Sequence, residues 1–558
     1  MNGKITSLFA KRSFKVLQLQ ITTATFLASL LISMWPASAS ALTNPISTEN
    51  QKTGTSNWVM TQTANDLDKQ IKGYASATSV NLGGSINFMV SVNRPQNFTI
   101  EFYRMGWYQG LGGRLISKTG QIAGQTRTYT APDPTTGLIE YNWPSSYTLK
   151  VPTSWVSGIY MAKLINADGY QNYVPFVVRN DSRASQILYQ QSVTTDQAYN
   201  NFPDVSPTNP NYNPNDPSQI SKSLYEGSSK GNNTIAGTQR AVKVSFNRPY
   251  ADDGSGKFFI WENNQVRWLE RMGYDVTYST NLDTHERPTL TNHKAFISSG
   301  HDEYWTGQMR TNVESARDRK VNLAFFGANA GYWQVRLEPS AGGVANRTMT
   351  CYKDKWIDPV ATPSAKTITF RDLGRPEQTL IGVQYTTYGD SLSGNSAWSP
   401  IAAALGNSVF SGTGMTSTSQ INGLVGYEID AQFANYPMPA NLSYTLLSSS
   451  SYFDANGQTQ QSNSVLYQAP SGAWVFGSGT LSWSWGLDDA GYGGELGVVD
   501  SRVQKISQNV LAKFGTTPAT PFAAVALAPA LSQSKTSAQT TYQPPAPQLA
   551  PIHPDGED

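Results

Sequence analysis

The fold of this chain is decided between residues 294 and 326, where two apolar runs enclose a polar cluster and a helical segment. Residues 294–305 are KAFISSGHDEYW, and residues 321–326 are VNLAFF. Both apolar runs have the length of buried β-strands, and the pattern of residues 306–319 predicts a helix between them. A strand, a helix and a second strand in this order indicate a βαβ unit of a parallel sheet.

The same alternation continues on both sides of this unit. Strands are predicted at residues 186–190 and 276–278, and a helix at residues 258–272, although polar Gln265 interrupts its apolar stripe. Short β-type runs return between residues 368 and 514, and the Asn/Pro-rich residues 203–217 predict a surface loop. Residues 181–515 are therefore predicted to form an α/β domain with a mostly parallel sheet and a later β-rich extension.

Residues 71–180 show a different pattern, with short β-type runs separated by Gly, Pro and Asn. Residues 85–92 and 98–103 alternate apolar and polar side chains with period two, and further runs lie at residues 147–151, 158–164 and 173–178. No helical periodicity accompanies them. This pattern predicts an immunoglobulin-like β-sandwich, a module that is usually structural or adhesive.

The composition excludes several classes of protein. The chain has 558 residues, only 14% of them charged, and a net charge of +2, which gives no reason to expect nucleic-acid binding. One cysteine excludes an intramolecular disulfide and a Cys-rich metal site, and four histidines argue against a multi-histidine metal cage. What remains is a globular chain rich in Tyr and Trp, long enough for two to four domains at about 150 residues each.

Both ends of the chain are predicted to lie outside these domains. Basic residues precede an apolar run at residues 21–34, and small residues follow it, which predicts a signal peptide over residues 1–41 cleaved near Ala39 to Ala41. The protein would then be secreted or periplasmic, without a membrane span in the mature chain; the alternative is an uncleaved N-terminal anchor. Residues 42–70 are predicted to be a linker, and the Pro/Ala-rich residues 516–558 a disordered tail.

The polar cluster after the first apolar run is the sharpest chemical feature. Residues 301–304 place an imidazole, two carboxylates and a phenol at the carboxyl end of a predicted parallel strand, where ligands gather in such folds. In extended geometry His301 and Glu303 point to the same side, and such a pair can bind a metal or share a proton. The alternative is that Asp302 caps the following helix and His301 is a hydrogen-bonded structural residue.

A second feature follows the next strand. Residues 327–331 are GANAG, with the spacing of the G-x-S-x-G elbow but with Asn329 at its centre. An amide cannot be a nucleophile, yet it can donate hydrogen bonds to an oxyanion; the alternative is a purely structural turn. Cys351 lies on no such turn, so the pattern disfavours acyl-enzyme chemistry. Glu428, in VGYEID, is a further candidate, with a structural or solvated carboxylate as the alternative.

These motifs together resemble the large-subunit family of N,N-dimethylformamidase. The resemblance rests on FNRPY at residues 246–250, SGHDEYW at 299–305, NLAFFGAN at 322–329 and VGYE at 425–428. It covers residues 181–513, and residues 155–179 resemble the end of the family's sandwich. The motif set is specific for the fold family and much less specific for the substrate.

The resemblance implies an immunoglobulin-like sandwich followed by a glutamine-amidotransferase-like α/β domain, with one ferric ion held by two tyrosines and a glutamate. Phenolate and carboxylate are hard oxygen donors that suit Fe3+. Carried over by motif, the expected metal ligands are Glu303, Tyr199 and Tyr225, with Tyr250 as the reserve tyrosine. The expected catalytic residues are His301, Asn329 and Glu428.

The leading hypothesis is an exported, iron-dependent hydrolase that cleaves an amide C–N bond in a small molecule. Because the family's members work with a separate small subunit, a small subunit or a homo-oligomer is an expected partner. The alternative is a non-catalytic secreted protein that binds the cell envelope or a polysaccharide. This hypothesis is based on the predicted export, the many aromatic residues and the Pro-rich tail. A third hypothesis is a cysteine-dependent amidotransferase relative that uses Cys351.

Overall fold

The computed structural model describes residues 44–519 except 227–228, 288, 390–394, 440–442, 492–493 and 495. The predicted signal peptide and residues 520–558 of the predicted tail lie outside the described residues. The structure is mixed α/β, with many sheets and few helices, and most of its regular structure is β.

The N-terminal part is built from two sheets that face each other. Its elements are α1 (Pro45–Asn50), β1 (Ile71–Ala75), β2 (Ser79–Asn81), β3 (Ser85–Val92), β4 (Asn97–Met105), β5 (Gly113–Lys118), β6 (Ile122–Ala123), β7 (Tyr147–Lys150), β8 (Gly158–Asn166) and β9 (Gln171–Arg179). One sheet has the order β1-β3-β7, and the other has the order β2-β9-β8-β4-β5, with β6 beside β4. Phe88 lies 5.4 Å from Phe102 and 5.5 Å from Phe176 between ring centroids, so aromatic packing joins the sheets.

Strands and helices alternate in the next part, as the sequence predicts. Its elements are β10 (Ile187–Gln191), α2 (Val193–Ala198), β11 (Lys243–Ser245), α3 (Phe258–Trp261), α4 (Asn263–Arg271), β12 (Val276–Thr280), α5 (Asn281–Glu286), β13 (Ala295–His301), β14 (Tyr304–Thr306), α6 (Gly307–Asp318) and β15 (Asn322–Ala328). β13 and β15 pair in parallel, with α6 between them, which is the βαβ unit predicted from residues 294–326.

The last part is rich in short strands. Its elements are β16 (Trp333–Glu338), β17 (Thr348–Thr350), α7 (Gln378–Ile381), β18 (Gln384–Tyr388), β19 (Ser396–Trp398), β20 (Ile421–Val425), β21 (Glu428–Ala431), β22 (Ser443–Leu446), β23 (Ser450–Phe453), β24 (Thr459–Ser462), β25 (Val465–Gln468), β26 (Trp474–Gly477) and α8 (Ser501–Lys513). Three of these strands complete the central sheet, because its order is β12-β10-β13-β15-β26-β25-β22. Neighbours from β12 to β26 are parallel, and β25 and β22 add an antiparallel edge.

Two sequence predictions about helices need correction. The helix predicted over residues 258–272 is divided between α3 and α4 at Glu262, whose buried carboxylate accepts hydrogen bonds from Tyr189 Oη (2.9 Å) and the Ser192 backbone (3.3 Å). Asp302 does not cap the helix that follows it. Thr306 is the N-cap of α6, and its side chain accepts from the Met309 backbone at 3.0 Å.

A buried ion pair ties the N-terminal sheets to the central sheet. Arg104 in β4 donates to Glu270 in α4 at 2.7 Å and 2.9 Å, and both side chains are fully buried. Glu270 also accepts from Tyr278 in β12 (2.8 Å) and Asn50 in α1 (2.8 Å). One carboxylate therefore joins four elements.

Within the described residues, no helix has the length and apolar character needed to cross a membrane.

Candidate active site

Side chains from several elements meet beyond the carboxyl ends of the central parallel strands. His301 ends β13, Glu303 follows it by two residues, and Asn329 comes directly after β15. Tyr199 follows α2, which comes after β10, and Glu428 begins β21. The parallel order brings these strand ends to one edge of the sheet, which is where an α/β fold gathers functional side chains.

Glu303 lies at the centre of the cluster. Its Oε2 accepts hydrogen bonds from Tyr199 Oη at 3.0 Å and Tyr225 Oη at 2.8 Å. The two phenol rings stack with centroids 4.0 Å apart, and Tyr304 Oη donates to Tyr225 Oη at 2.5 Å. Glu303 and Tyr225 are fully buried, and Glu303 Oε1 has no hydrogen-bond partner among the described residues. Burying a carboxylate oxygen without a hydrogen-bond partner costs folding free energy, unless another group contacts that oxygen.

His301 connects Glu303 to a second carboxylate. Its Nε2 lies 3.2 Å from Glu303 Oε2 and 3.2 Å from Glu428 Oε2. Asn329 Nδ2 donates to the same Glu428 oxygen at 2.8 Å. Glu428 is fully buried, and its Oε1 has no hydrogen-bond partner within the described part of the chain. An imidazole therefore bridges two carboxylates in a site closed to bulk water.

The charges of the cluster are mutually stabilised. Burial lowers the pKa of His301, but the carboxylates of Glu428 and Glu303 outweigh burial and raise it to about 10. Burial raises the pKa of Glu303, but His301 and Lys353 outweigh it and hold the value below its ordinary range. Burial and the nearby Glu303 charge raise the pKa of Tyr225 well above its ordinary value. Without a cation, the structure therefore holds an imidazolium at His301, a carboxylate at Glu303 and a neutral phenol at Tyr225.

The six residues predicted from the sequence as ligands or catalytic groups form one connected set. They are Tyr199, Tyr225, His301, Glu303, Asn329 and Glu428. The reserve residue Tyr250 lies apart from Glu303, in the lining of a neighbouring cavity that it shares with Asp196. The contacts establish that these side chains meet, and their chemical roles remain predictions.

Lys353 belongs to the site, although the sequence analysis does not propose it. It follows β17, and its Nζ lies 3.8 Å from the centroid of the Tyr225 ring and 5.0 Å from that of Trp333. The side chain is buried, Nζ has no hydrogen-bond partner among the residues described, and burial lowers its pKa to about 8. Sequence spacing gives no signal for this residue, because β17 delivers it to the cluster through antiparallel pairing with β11 and β16, outside the central sheet.

The turn at Asn329 differs from the elbow that its spacing resembles. A strand, β16, follows it instead of a helix. Asn329 has φ +54°, and its backbone N–H donates to Asp430 Oδ1 at 2.8 Å. Asp430 is therefore a second residue that the sequence analysis misses, and it fixes the turn that aims Asn329 at Glu428.

Asp302 and Cys351 lie outside this set of contacts. Asp302 is buried and accepts from Gln190 (2.7 Å), Ser298 (2.7 Å) and Asn281 (2.8 Å), so it braces the strand ends. Cys351 is fully buried, and burial raises the pKa of its thiol to about 11. A thiol that stays protonated is a poor nucleophile, which argues against the cysteine-dependent hypothesis.

In the part of the chain that the structure describes, no group of three or more His, Cys, Asp or Glu side chains is arranged to hold a metal. The predicted ligand set depends instead on tyrosines.

The comparisons with known proteins agree with the motifs. No curated protein matches the chain. A family model described as N,N-dimethylformamidase beta subunit-like, C-terminal, matches residues 99–495, which is more than half of the 558-residue chain and includes the whole candidate site. The chain therefore belongs to the N,N-dimethylformamidase beta subunit-like family.

Proposed function

We propose that this protein is a hydrolase that cleaves the C–N bond of a small amide. The observation that carries the proposal is the buried chain of contacts from the Tyr199 and Tyr225 hydroxyls through Glu303 and His301 to Glu428. Burying this many ionisable groups costs stability, and such arrangements concentrate at functional sites. Membership of the dimethylformamidase-like family supports hydrolysis as the reaction class.

The donor set at Glu303 fits a ferric ion. Two phenol oxygens lie 3.0 Å and 2.8 Å from Glu303 Oε2, and Glu303 Oε1 has no other partner among the described residues. Tyr199, Tyr225 and Glu303 would hold the ion through hard anionic oxygens, and the positive charge would lower the pKa values of both phenols. When bound, the ion supplies Lewis acidity, which polarises a carbonyl group and lowers the pKa of water.

The protein's own groups supply the remaining chemistry. Hydrolysis adds water across the C–N bond, so water loses a proton and the departing amine gains one. Glu428 and His301 Nε2 lie 3.2 Å apart and carry these protons between them. Asn329 Nδ2, which has one hydrogen beyond the one it gives to Glu428, donates to the developing oxyanion. No serine or cysteine nucleophile is needed.

The buried aromatic residues favour an enzyme over a polysaccharide-binding protein. A glycan platform needs exposed ring faces, yet most large aromatic side chains lie in the interior. The fully buried tryptophans are Trp261, Trp268, Trp305, Trp333, Trp398, Trp483 and Trp485. Among the described residues, Trp356 and Phe453 are the large aromatic side chains that are mostly exposed, so aromatic abundance supports packing and the tyrosine site more than a glycan platform.

We extend the proposal to the architecture and the cellular setting. The two facing N-terminal sheets support an immunoglobulin-like sandwich, and the parallel central sheet supports a glutamine-amidotransferase-like domain. Export by residues 1–41 rests on the sequence pattern alone, since that segment lies outside the described residues. A small subunit or a second copy of the chain is the proposed partner, and it rests on the family resemblance.

Metal analysis of the purified protein tests the ferric site. We expect about one iron per chain and a visible absorption band from ferric tyrosinate. The bound iron and the absorption band should be lost in each of three variants: Glu303→Gln, Tyr199→Phe and Tyr225→Phe. They should be retained in Tyr250→Phe and in the control Glu338→Gln on β16. A folded wild-type protein that takes up no iron when supplied with it would contradict the metal site. Equal iron in Tyr199→Phe and the wild type would exclude Tyr199 as a ligand.

A further inference from the structure

A cavity lined by both polar and apolar side chains lies beside the candidate active site. Its walls come from β1 and β9 of the N-terminal sheets on one side, and from α2 and the end of β10 on the other. Four long polar side chains line it: Gln191, Gln197, Arg248 and Arg347. The space measures about 470 Å³ with its opening to solvent included, but only about 30 Å³ of it admits the centre of a water molecule, so an occupant can have only a few heavy atoms.

Both arginines are buried, and neither has an ion-pair partner among the described residues. Arg248 donates to the carbonyl oxygens of Lys222 and Asn200, and Arg347 donates to those of Ala75 and Phe246. Arg248 is 2% exposed and Arg347 is 4% exposed, and neither forms an ion pair within the described residues. Buried charges are normally paired, because an unpaired one is strongly destabilising.

Each of the four side chains also has polar atoms without a partner. Among the described residues, Arg347 Nη1, Arg248 Nε, Gln197 Nε2 and both amide atoms of Gln191 make no hydrogen bond. Burial lowers the pKa of each arginine to about 10, so both remain protonated at neutral pH. The two guanidinium groups and two amides that line this cavity therefore each carry an N–H donor without a partner among the described residues, and these donor types suit an oxyanion.

The rest of the lining favours an organic anion over a simple inorganic one. Tyr74, Val174, Val193 and Phe246 contribute apolar surface to the same cavity. Asp196 also lines it, and burial raises its pKa to about 7, which lessens the negative charge that it presents below that pH. Apolar walls next to guanidinium groups match a short hydrocarbon chain that ends in a carboxylate.

We propose that this cavity binds a small organic carboxylate, with its oxygens against Arg248 and Arg347 and its hydrocarbon part against the apolar walls. Gln191 and Gln197 supply further N–H donors. The inference does not depend on amide hydrolysis or on iron, since none of the four polar residues donates to Glu303, His301 or Glu428 in the structure. It is tested by binding alone.

Calorimetric titration of the full chain with propionate, at constant ionic strength, measures this binding. 2-Butanone is the matched neutral probe, because it has nearly the same shape as propionate without the charge and without an amide bond that the proposed active site could cleave. We expect one propionate per chain and no detectable butanone binding. Absence of propionate binding, or equal binding of butanone, would overturn the proposal.

Substitutions locate the site. Arg347→Gln should raise the Kd for propionate at least about tenfold, since a charge-assisted hydrogen bond is lost. Arg347 also donates to two backbone carbonyls, so its substitution could disturb the fold, and Gln191→Leu is therefore the second variant. The amide atoms of Gln191 have no partner among the described residues, so Gln191→Leu should be at least as stable as the wild type. It should still bind propionate about threefold more weakly.

Arg240→Gln is the matched control. Arg240 is likewise buried, with an unpartnered Nη1 among the described residues, but it lies outside the cavity lining. Its Kd for propionate should equal that of the wild type. Unchanged binding in both Arg347→Gln and Gln191→Leu would place the carboxylate elsewhere and refute the cavity as its site.

Discussion

At Asn329, a left-handed backbone, an amide side chain and a buried carboxylate meet. Its φ of +54° is one that glycine adopts without strain and that asparagine tolerates better than most residues. Asp430 holds the backbone N–H, and the side chain donates to Glu428. The turn is therefore organised around the direction of one amide group, as the proposed oxyanion role requires.

Asn329→Gly isolates that role. Glycine accepts the same φ, so the fold and the iron site should be retained while the amide donor is lost. We expect kcat to fall by about 10² to 10³ with little change in KM, the usual cost of removing one oxyanion donor. Initial rates measured with an amide that the wild-type protein hydrolyses give kcat and KM for both proteins. Unchanged kcat would assign Asn329 a structural role only.

Local patterns in the sequence indicate much of the cluster but not all of it. His301 and Glu303 are close in sequence and follow an apolar strand, so alternation along an extended chain already places them together. Tyr199 and Tyr225 follow from the family resemblance. Lys353 and Asp430 have no such signal, because their contacts with Tyr225 and Asn329 join segments far apart in the chain.

β13 and β15 approach each other closely in the central sheet at a pair of glycines. Gly300 and Gly327 are paired in the parallel register, and a Cβ on Gly327 would lie 2.0 Å from the Gly300 carbonyl oxygen. This contact fixes how closely the strand ending in His301 approaches the strand that leads into Asn329. Because neither glycine has a side chain, the backbone segments that carry His301 and Asn329 can lie close together.

Gly327→Ala should therefore destabilise the protein and disturb the site. Overpacking of this kind costs about 1–3 kcal/mol, measured as the free energy of unfolding in urea. Gly406→Ala serves as the control, since Gly406 is exposed and a Cβ added there would meet no atom within 4 Å. If the two variants unfolded at the same urea concentration, the sheet would have to accommodate the extra methyl group.

For the whole molecule, Glu270 is the connection between the N-terminal sheets and the central sheet. Its carboxylate receives Arg104, Tyr278 and Asn50, and it has no exposure to solvent. Removing one member of a buried pair leaves the other charge unpaired. The two halves of the molecule therefore depend on each other for stability.

Glu270→Gln should lower the free energy of unfolding by about 3–5 kcal/mol, because Arg104 stays buried after losing the carboxylate that it contacts directly, and Glu49 is the nearby charge that remains. The comparison is Asp168→Asn, which breaks an exposed pair with Arg94 and should cost less than about 1 kcal/mol. Chemical denaturation of both variants measures the difference. Similar losses in the two would show that the interface does not rest on this pair.

A pH dependence follows from Glu49 in α1. Burial raises its pKa, but Arg104, Lys52 and Arg114 outweigh burial and lower it below the ordinary value of 4.5. A lowered folded-state pKa stabilises the protein above the unfolded value, and this contribution is lost as the pH falls through the folded value. The stability difference between the wild type and Glu49→Gln should thus be constant near neutrality and shrink below about pH 4.5. A difference that grows in acid would contradict this assignment.

Hydrophobic periodicity and short motifs are local properties of the chain, so the sequence alone indicates the βαβ unit of residues 294–326, the mixed α/β class and the family. It also determined the residue types that are available, with few histidines, one cysteine and many tyrosines. Only the tertiary structure decided which of those tyrosines meet Glu303, that α3 and α4 break at Glu262, and that two buried arginines share a cavity. These outcomes depend on contacts between residues far apart in the chain, and local patterns carry no information about such contacts.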